Sequence, residues 1–280
     1  KLTTSDGTAH DLLGQSVAIS GDTVVVGAHQ HNVGAKADQG AAYVFVKPSS
    51  GWAVITETAM LTASNGTAGD NLGYSVSISG DTVVVGAQNR DVGGNTNQGS
   101  AYVFERPLTG WVNVTETATL TASDGAADDR LGVSVSISED TIVVGARGDD
   151  IDTNVDQGSA YVYQMPVGGW ADMTETGKLT ASDGTTNDML GQSVTVRGDT
   201  IIVGAYLHDV GTNSNQGAVY LFEQPAIGWA DITETLTLTA SDGMANDWFG
   251  RSVAIGEDFA VVGAHGDNAG SNTDQGSAYV

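Results

Sequence analysis

The sequence predicts an all-β fold made of five tandem copies of one four-stranded unit, and three observations carry that prediction. Residues recur at one fixed offset of 59: Trp52 returns as Trp111, Trp170 and Trp229, and Gly14 as Gly73, Gly132, Gly191 and Gly250, without insertion or deletion. The composition suits strands and turns, with 38 Gly but only 4 Pro among 280 residues, 40% of them hydrophobic. Apolar residues either alternate at period two or run continuously, and no stretch keeps a 3.6-residue period long enough for a helix.

The copies run 1–59, 60–118, 119–177, 178–236 and 237–280, the last incomplete, so that 1–280 reads as a single repeat domain. The chain stops inside Ser277-Ala278-Tyr279-Val280 and opens at Lys1-Leu2-Thr3, which matches the middle of Ala118–Thr121; it therefore reads as a piece of a longer protein. Copy 2 displays the elements in order. Strand A is expected at Tyr74–Ile78, where apolar residues alternate, and strand B at Thr82–Ala87, a β-branched run of the kind buried on both faces. After an Asn/Asp/Gly loop comes strand C at Ser100–Phe104. Pro107 and Gly110 then mark a turn into strand D, expected from Trp111 to Leu120. Strands buried on both faces need sheets packed against sheets, and four strands per unit favour the radial stacking of a β-propeller over a solenoid. The fifth copy lacks strand D, so the expectation is a truncated piece of a larger ring rather than a closed one.

Thirty-four acidic residues stand against 10 basic ones, a net charge of −24, which argues against nucleic acid and anionic membrane surfaces as partners. Cysteine is absent, removing disulfides, thiolate metal sites and thiol nucleophiles together. No apolar run suggests membrane insertion.

Phe249-Gly250-Arg251-Ser252-Val253, then Val261-Val262-Gly263-Ala264, then Ser277-Ala278-Tyr279-Val280 resemble the FG-GAP repeats, which form the seven-bladed propeller of integrin α subunits and occur in many bacterial surface proteins. The likeness covers all five copies. Leu13, Leu72, Leu131 and Leu190 stand where the pattern has Phe, and no Pro follows Gly-Ala, so the bacterial branch is the closer likeness. The resemblance implies a ring of about seven blades and an extracellular, secreted or cell-surface role in binding or cell adhesion. The family's cation loops between strands A and B do not carry over, because here that connection is only a short turn such as Ser79-Gly80-Asp81.

An antiparallel blade sends its D-to-A and B-to-C connections out at one end. The D-to-A loops carry Asp6, Asn65, Asp124, Asp183 and Asp242, followed by Asp11, Asp70, Asp129, Asp188 and Asp247. By resemblance this end is the one integrins use for ligands, and loops on a rigid scaffold commonly bind. In the B-to-C loop of copy 3, Asp150, Asp152, Asn154 and Asp156 put an oxygen side chain at every second position. Calcium takes six to eight oxygens, so this run is the candidate calcium site; the competing reading is that Asn, Asp and Gly simply make the turn. The same choice applies to Asp11 and its equivalents, for which a turn-forming role comes first. Glu57, Glu116, Glu175 and Glu234 are expected on a solvated face in mid-strand, and Trp52 and its equivalents in the core, with sugar stacking as the alternative. Arg147-Gly148-Asp149 is an RGD tripeptide, read as accidental. His10, His29, His31, His208 and His265 form no zinc motif, and neither a nucleophile elbow nor a phosphate loop is present. The functional expectation is a non-enzymatic recognition module for a protein or glycan ligand, possible calcium support included; the alternative is an accessory domain of a larger extracellular enzyme.

Overall fold

A computed structural model describes residues 1–268 and 272–280. All its regular secondary structure is strand, with no helix among the described residues. The chain forms two compact units: Lys1–Glu139 with Met165–Thr174, and Asp140–Gln164 with Glu175–Val280.

Strands A, B and C make the expected antiparallel meander. In copy 2 they are Ser75–Ser79, Thr82–Ala87 and Ser100–Glu105, registered through Val76 opposite Val85 and Val85 opposite Tyr102. In the second unit, copy 4 repeats the pattern at Leu190–Arg197, Thr200–Ala205 and Ala218–Glu223. Strand B is buried along most of its length, which explains its unbroken β-branched run.

Strand D departs from expectation. The segment expected as one strand from Trp111 to Leu120 is two: Val114–Thr115 and Ala118–Thr121. The second piece pairs antiparallel with strand C of its own copy, Leu120 opposite Ala101. The first pairs in parallel with strand D of the preceding copy, Val114 opposite Leu61 and Thr115 opposite Thr62. The first copy's sheet therefore has five strands, the outermost donated by the next copy. Met173–Thr174 repeats this against Ala118–Thr121 in the first unit, and Ile232–Thr233 does so against Gly177–Thr180 in the second. Strand D would otherwise present a bare row of backbone donors and acceptors, and the donated pair covers it.

The glutamates expected in mid-strand instead sit at this break. Glu116 accepts the backbone N–H of Ser64 at 2.8 Å and its hydroxyl at 2.6 Å, and Glu57 and Glu234 hold Ser5 and Ser182 in the same way. A carboxylate reaching 52 residues back thus fastens each of these copies to the turn before it. Asn113 and Asp172 add a second fastening by accepting the backbone N–H of Met60 and Thr119.

Between successive copies the packing is apolar. Val76 and Ile78 of strand A join one buried cluster with Val25, Ala42 and Val44 of the preceding copy. Val17 and Ile19, the same positions in copy 1, are 66% and 67% exposed against 8% for both Val76 and Ile78, so it is the preceding copy that buries this face. Trp111, Trp170 and Trp229 are buried, as core packing requires, and Trp52, the fourth of this set, opens to solvent. The glycines of the recurring Gly-Ala pair have a steric reason. A Cβ on Gly86 would lie 2.0 Å from the carbonyl oxygen of Gly132, and the Ser75 hydroxyl donates to that same oxygen at 2.8 Å. Gly204, Gly250 and Ser193 repeat the arrangement in the second unit.

Candidate functional site

Within a blade, the start of strand A and the end of strand B lie side by side, and the D-to-A and B-to-C loops leave from there. Two sets of aspartates occupy the D-to-A loop with different roles. Asp11, Asp70, Asp129, Asp188 and Asp247 are buried. Asp11 accepts the backbone N–H and the hydroxyl of Thr8 at 2.8 and 2.7 Å, and Asp70 and Asp188 do the same for Thr67 and Thr185. Asp129 and Asp247 accept from the N–H of Ala126 and Met244. These carboxylates shape the loop, the turn-forming role placed first from sequence. The other set is more open: Asp6, Asp183 and Asp242 accept the hydroxyls of Tyr43, Tyr220 and Tyr279 on strand C. Burial first, then the neighbouring carboxylates, pushes these phenols far above their ordinary value. Asp124 is the equivalent exposed residue of copy 3.

A position missed in the sequence links the two sets. His31, Arg90 and His208 stand 59, 118 or 177 residues apart at the start of the B-to-C loop, beside the buried aspartate of their own copy. His31 Nδ1 lies 2.9 Å from Asp11, with Nε2 3.6 Å from Asp6; His208 lies 2.9 Å from Asp188 and 3.8 Å from Asp183. Arg90 lies 3.3 Å from Asp70. Burial, the largest single influence on Asp11, raises its carboxyl, but the Thr8 and His31 hydrogen bonds together outweigh it and leave Asp11 below its ordinary value. For His208, burial works toward the neutral form, but the hydrogen bond and charge of Asp188 win and hold the ring above its ordinary value. Copies 3 and 5 carry Asp149 and Asp267 at this position. Lys178 neutralises Asp149 at 2.7 Å, whereas among the described residues no cation pairs with Asp242, Asp247 or Asp267. Comparing copies at the 59-residue offset reveals this position; scanning for histidine motifs does not.

The four residues read as a calcium run form a tight turn. Ile151 and Asn154 bond each other across it at 3.1 and 2.9 Å, with Asp152 and Asp156 at φ of 55° and 51°. Asp150 accepts the N–H of Asp156 at 2.8 Å, and Asn154 donates to Gln157 at 2.9 Å and to the Gly184 carbonyl at 3.1 Å. Asn32 and Asp91 play the part of Asp150 in copies 1 and 2, while Lys36 replaces Asn154 and donates to the Gly66 carbonyl. An ammonium serving where an amide serves elsewhere marks that position as a hydrogen-bond donor. Among the described residues, no group of three or more His, Asp or Glu side chains is arranged to hold a metal ion. The RGD tripeptide is not presented: Asp149 is buried and takes the hydroxyls of Ser159 and Tyr161 besides Lys178.

No curated protein matches the chain. Among solved structures it is similar to the computationally designed Ika8 protein, at 14% identity over 95% of this chain and 71% of that one, TM-score 0.48. It is also similar to the computationally designed Ika4 protein, at 15% identity over 79% and 96%, TM-score 0.42. The FG-GAP repeat family matches five times, over residues 1–45, 55–104, 114–163, 173–222 and 232–280. The last four matches each join a donated strand to the Leu-Gly or Phe-Gly turn, the Gly-Ala strand end and strand C that follow, and the first covers the same parts from Lys1 onward; the chain belongs to the FG-GAP repeat family.

Proposed function

We propose that this chain is a non-enzymatic recognition module of the cell surface or the extracellular space, binding a protein or glycan through the loops at the A-start, B-end side of its blades. FG-GAP repeats are typically extracellular binding or adhesion modules. The observation that carries the reading is the distribution of difference between copies. Strands and fastening residues repeat almost unchanged, while side chains at this loop end change in chemistry from copy to copy. A scaffold held constant under a varied rim is what recognition asks for, whereas catalysis asks for one converging set of acid, base or nucleophile. The aspartates that might have served as acids are committed to loop hydrogen bonds.

Two assays on the intact chain test this. An array of glycans and extracellular proteins should give saturable binding, and panels of glycosidase, esterase and phosphatase substrates should give no turnover. Turnover abolished by a single substitution in the chain would overturn the proposal.

A further inference from the structure

In the second unit the positions that vary between copies converge. The positions of Leu12, Gln15 and His29 in copy 1 are taken by Met189, Gln192 and Tyr206 in copy 4 and by Trp248, Arg251 and His265 in copy 5. Met189 and Trp248 have φ of 56° and 57°, a left-handed conformation in which Asn or Gly is the unstrained choice. Keeping large side chains there against backbone preference points to a use for the side chains.

Their contacts make a continuous surface of rings and cations. Trp248 lies against the exposed His265, ring centroids 4.6 Å apart, and Tyr206 directs its hydroxyl to the Met189 sulfur at 3.5 Å. The Arg251 guanidinium sits 4.9 Å over the Tyr206 ring, and Arg147 donates to Gln192 at 2.8 Å. In a chain with 34 carboxylate residues against 10 Lys and Arg, these two arginines have no carboxylate within ion-pair distance among the described residues. Neutral partners hold them instead, which leaves their charge available. Trp248 Nε1 is buried and lacks a hydrogen-bond partner, a donor the fold itself does not use.

From this we propose that the second unit carries a subsite for an acidic saccharide, a hexuronate whose ring lies on the aromatic surface of Trp248, His265 and Tyr206 while its carboxylate meets Arg251, with Arg147 alongside. The assignment rests on the recognition reading and names its ligand class. Aromatic faces suit the C–H faces of a pyranose, and an unpaired guanidinium offers the planar fork a carboxylate accepts. A longer acidic peptide would bring many charges against a protein of net charge −24, with Arg251 and Arg147 the two cations at this surface to receive them.

The test is calorimetric titration and tryptophan fluorescence of the intact chain with digalacturonate, with neutral galactobiose and an acetylated Glu-Glu dipeptide as separate arms. Saturable digalacturonate binding is expected, weakened at least tenfold in Arg251→Gln and in Trp248→Leu, and unchanged in Leu108→Asn, a fully exposed residue of the other unit. Circular dichroism melting of each variant separates lost binding from lost fold, and Arg147→Gln provides a second binding variant. Equal binding of galactobiose, preference for the dipeptide, or digalacturonate affinity insensitive to both Arg251 and Trp248 would each overturn the acidic-sugar assignment while leaving the recognition reading standing. No binding to any of the three would overturn it too, and the array then decides the recognition reading by itself.

Discussion

Replacing Gly86 by Ala probes the junction between copies most sharply. The added Cβ would lie 2.0 Å from the Gly132 carbonyl oxygen and 2.4 Å from the Ser75 hydroxyl oxygen. Real Cβ contacts stay beyond about 3.0 Å, so the two backbones must part by roughly 1 Å inside a close-packed junction. Overpacking of this kind costs about 1–3 kcal/mol, and losing the bond from Ser75 to Gly132 adds about 0.5–1.5 kcal/mol. The expected loss is therefore about 2–4 kcal/mol, or about 5–15 °C in Tm for a unit of this size. Gly263, the same position in copy 5, supplies the internal control. Among the described residues, its Cβ would meet only the rotatable Ser252 hydroxyl at close range, and no carbonyl of another copy within 4 Å. Gly263→Ala should cost less than about 1 kcal/mol. Thermal melts and urea denaturation of both variants decide the matter. Equal losses would refute the claim that carbonyl contact from the next copy is what demands glycine.

Other consequences follow from the same contacts. Removing the carboxylate in Glu116→Ala should cost about 1–2 kcal/mol, discounted for its solvent exposure, and should speed hydrogen exchange at the Ser64 amide; an unchanged Ser64 exchange rate would contradict the fastening role. Asp267→His installs the imidazole that sits beside the buried aspartate in copies 1 and 4, so a stability higher by on the order of 1–2 kcal/mol is expected at pH 6, and a lower Tm would contradict it. His208 is held above its ordinary 6.5, so its pairing with Asp188 contributes stability fully present below that value and lost as pH rises through the folded value. The Tm difference between wild type and His208→Gln should accordingly be largest below pH 6.5 and shrink above it, and a difference constant with pH would count against the account. Because the Asp150–Asp156 turn already bonds itself, excess calcium should leave the Tm unchanged, whereas a clear rise would support the calcium reading of Asp150, Asp152, Asn154 and Asp156.

Periodicity made much of this fold legible. Strands A, B and C follow from alternation and β-branched runs, and their ends fall within a residue or two of expectation at Ser75–Ser79, Thr82–Ala87 and Ser100–Glu105. The division of strand D was not legible, because Val114–Thr115 and Ala118–Thr121 both read as strand; which neighbour each pairs with is set by packing between copies, not by local pattern. Glu116 misled for the same reason, since its partner Ser64 lies 52 residues earlier. At the loop end, the aspartates were found by residue type, and their commitment to turns required hydrogen-bond geometry. The surface of Trp248, Arg251 and Tyr206 escaped because these residues share no motif; they stand out only as departures from the repeat.

The central claim is that function resides in the side chains by which the copies differ. The most direct measurement is array binding by a chain in which Met189, Gln192, Tyr206, Trp248, Arg251 and His265 are all exchanged for Asn or Ser, beside its thermal melt. Loss of wild-type binding with the melting transition retained is the result expected. Binding preserved in that variant, with the fold intact, would contradict the claim.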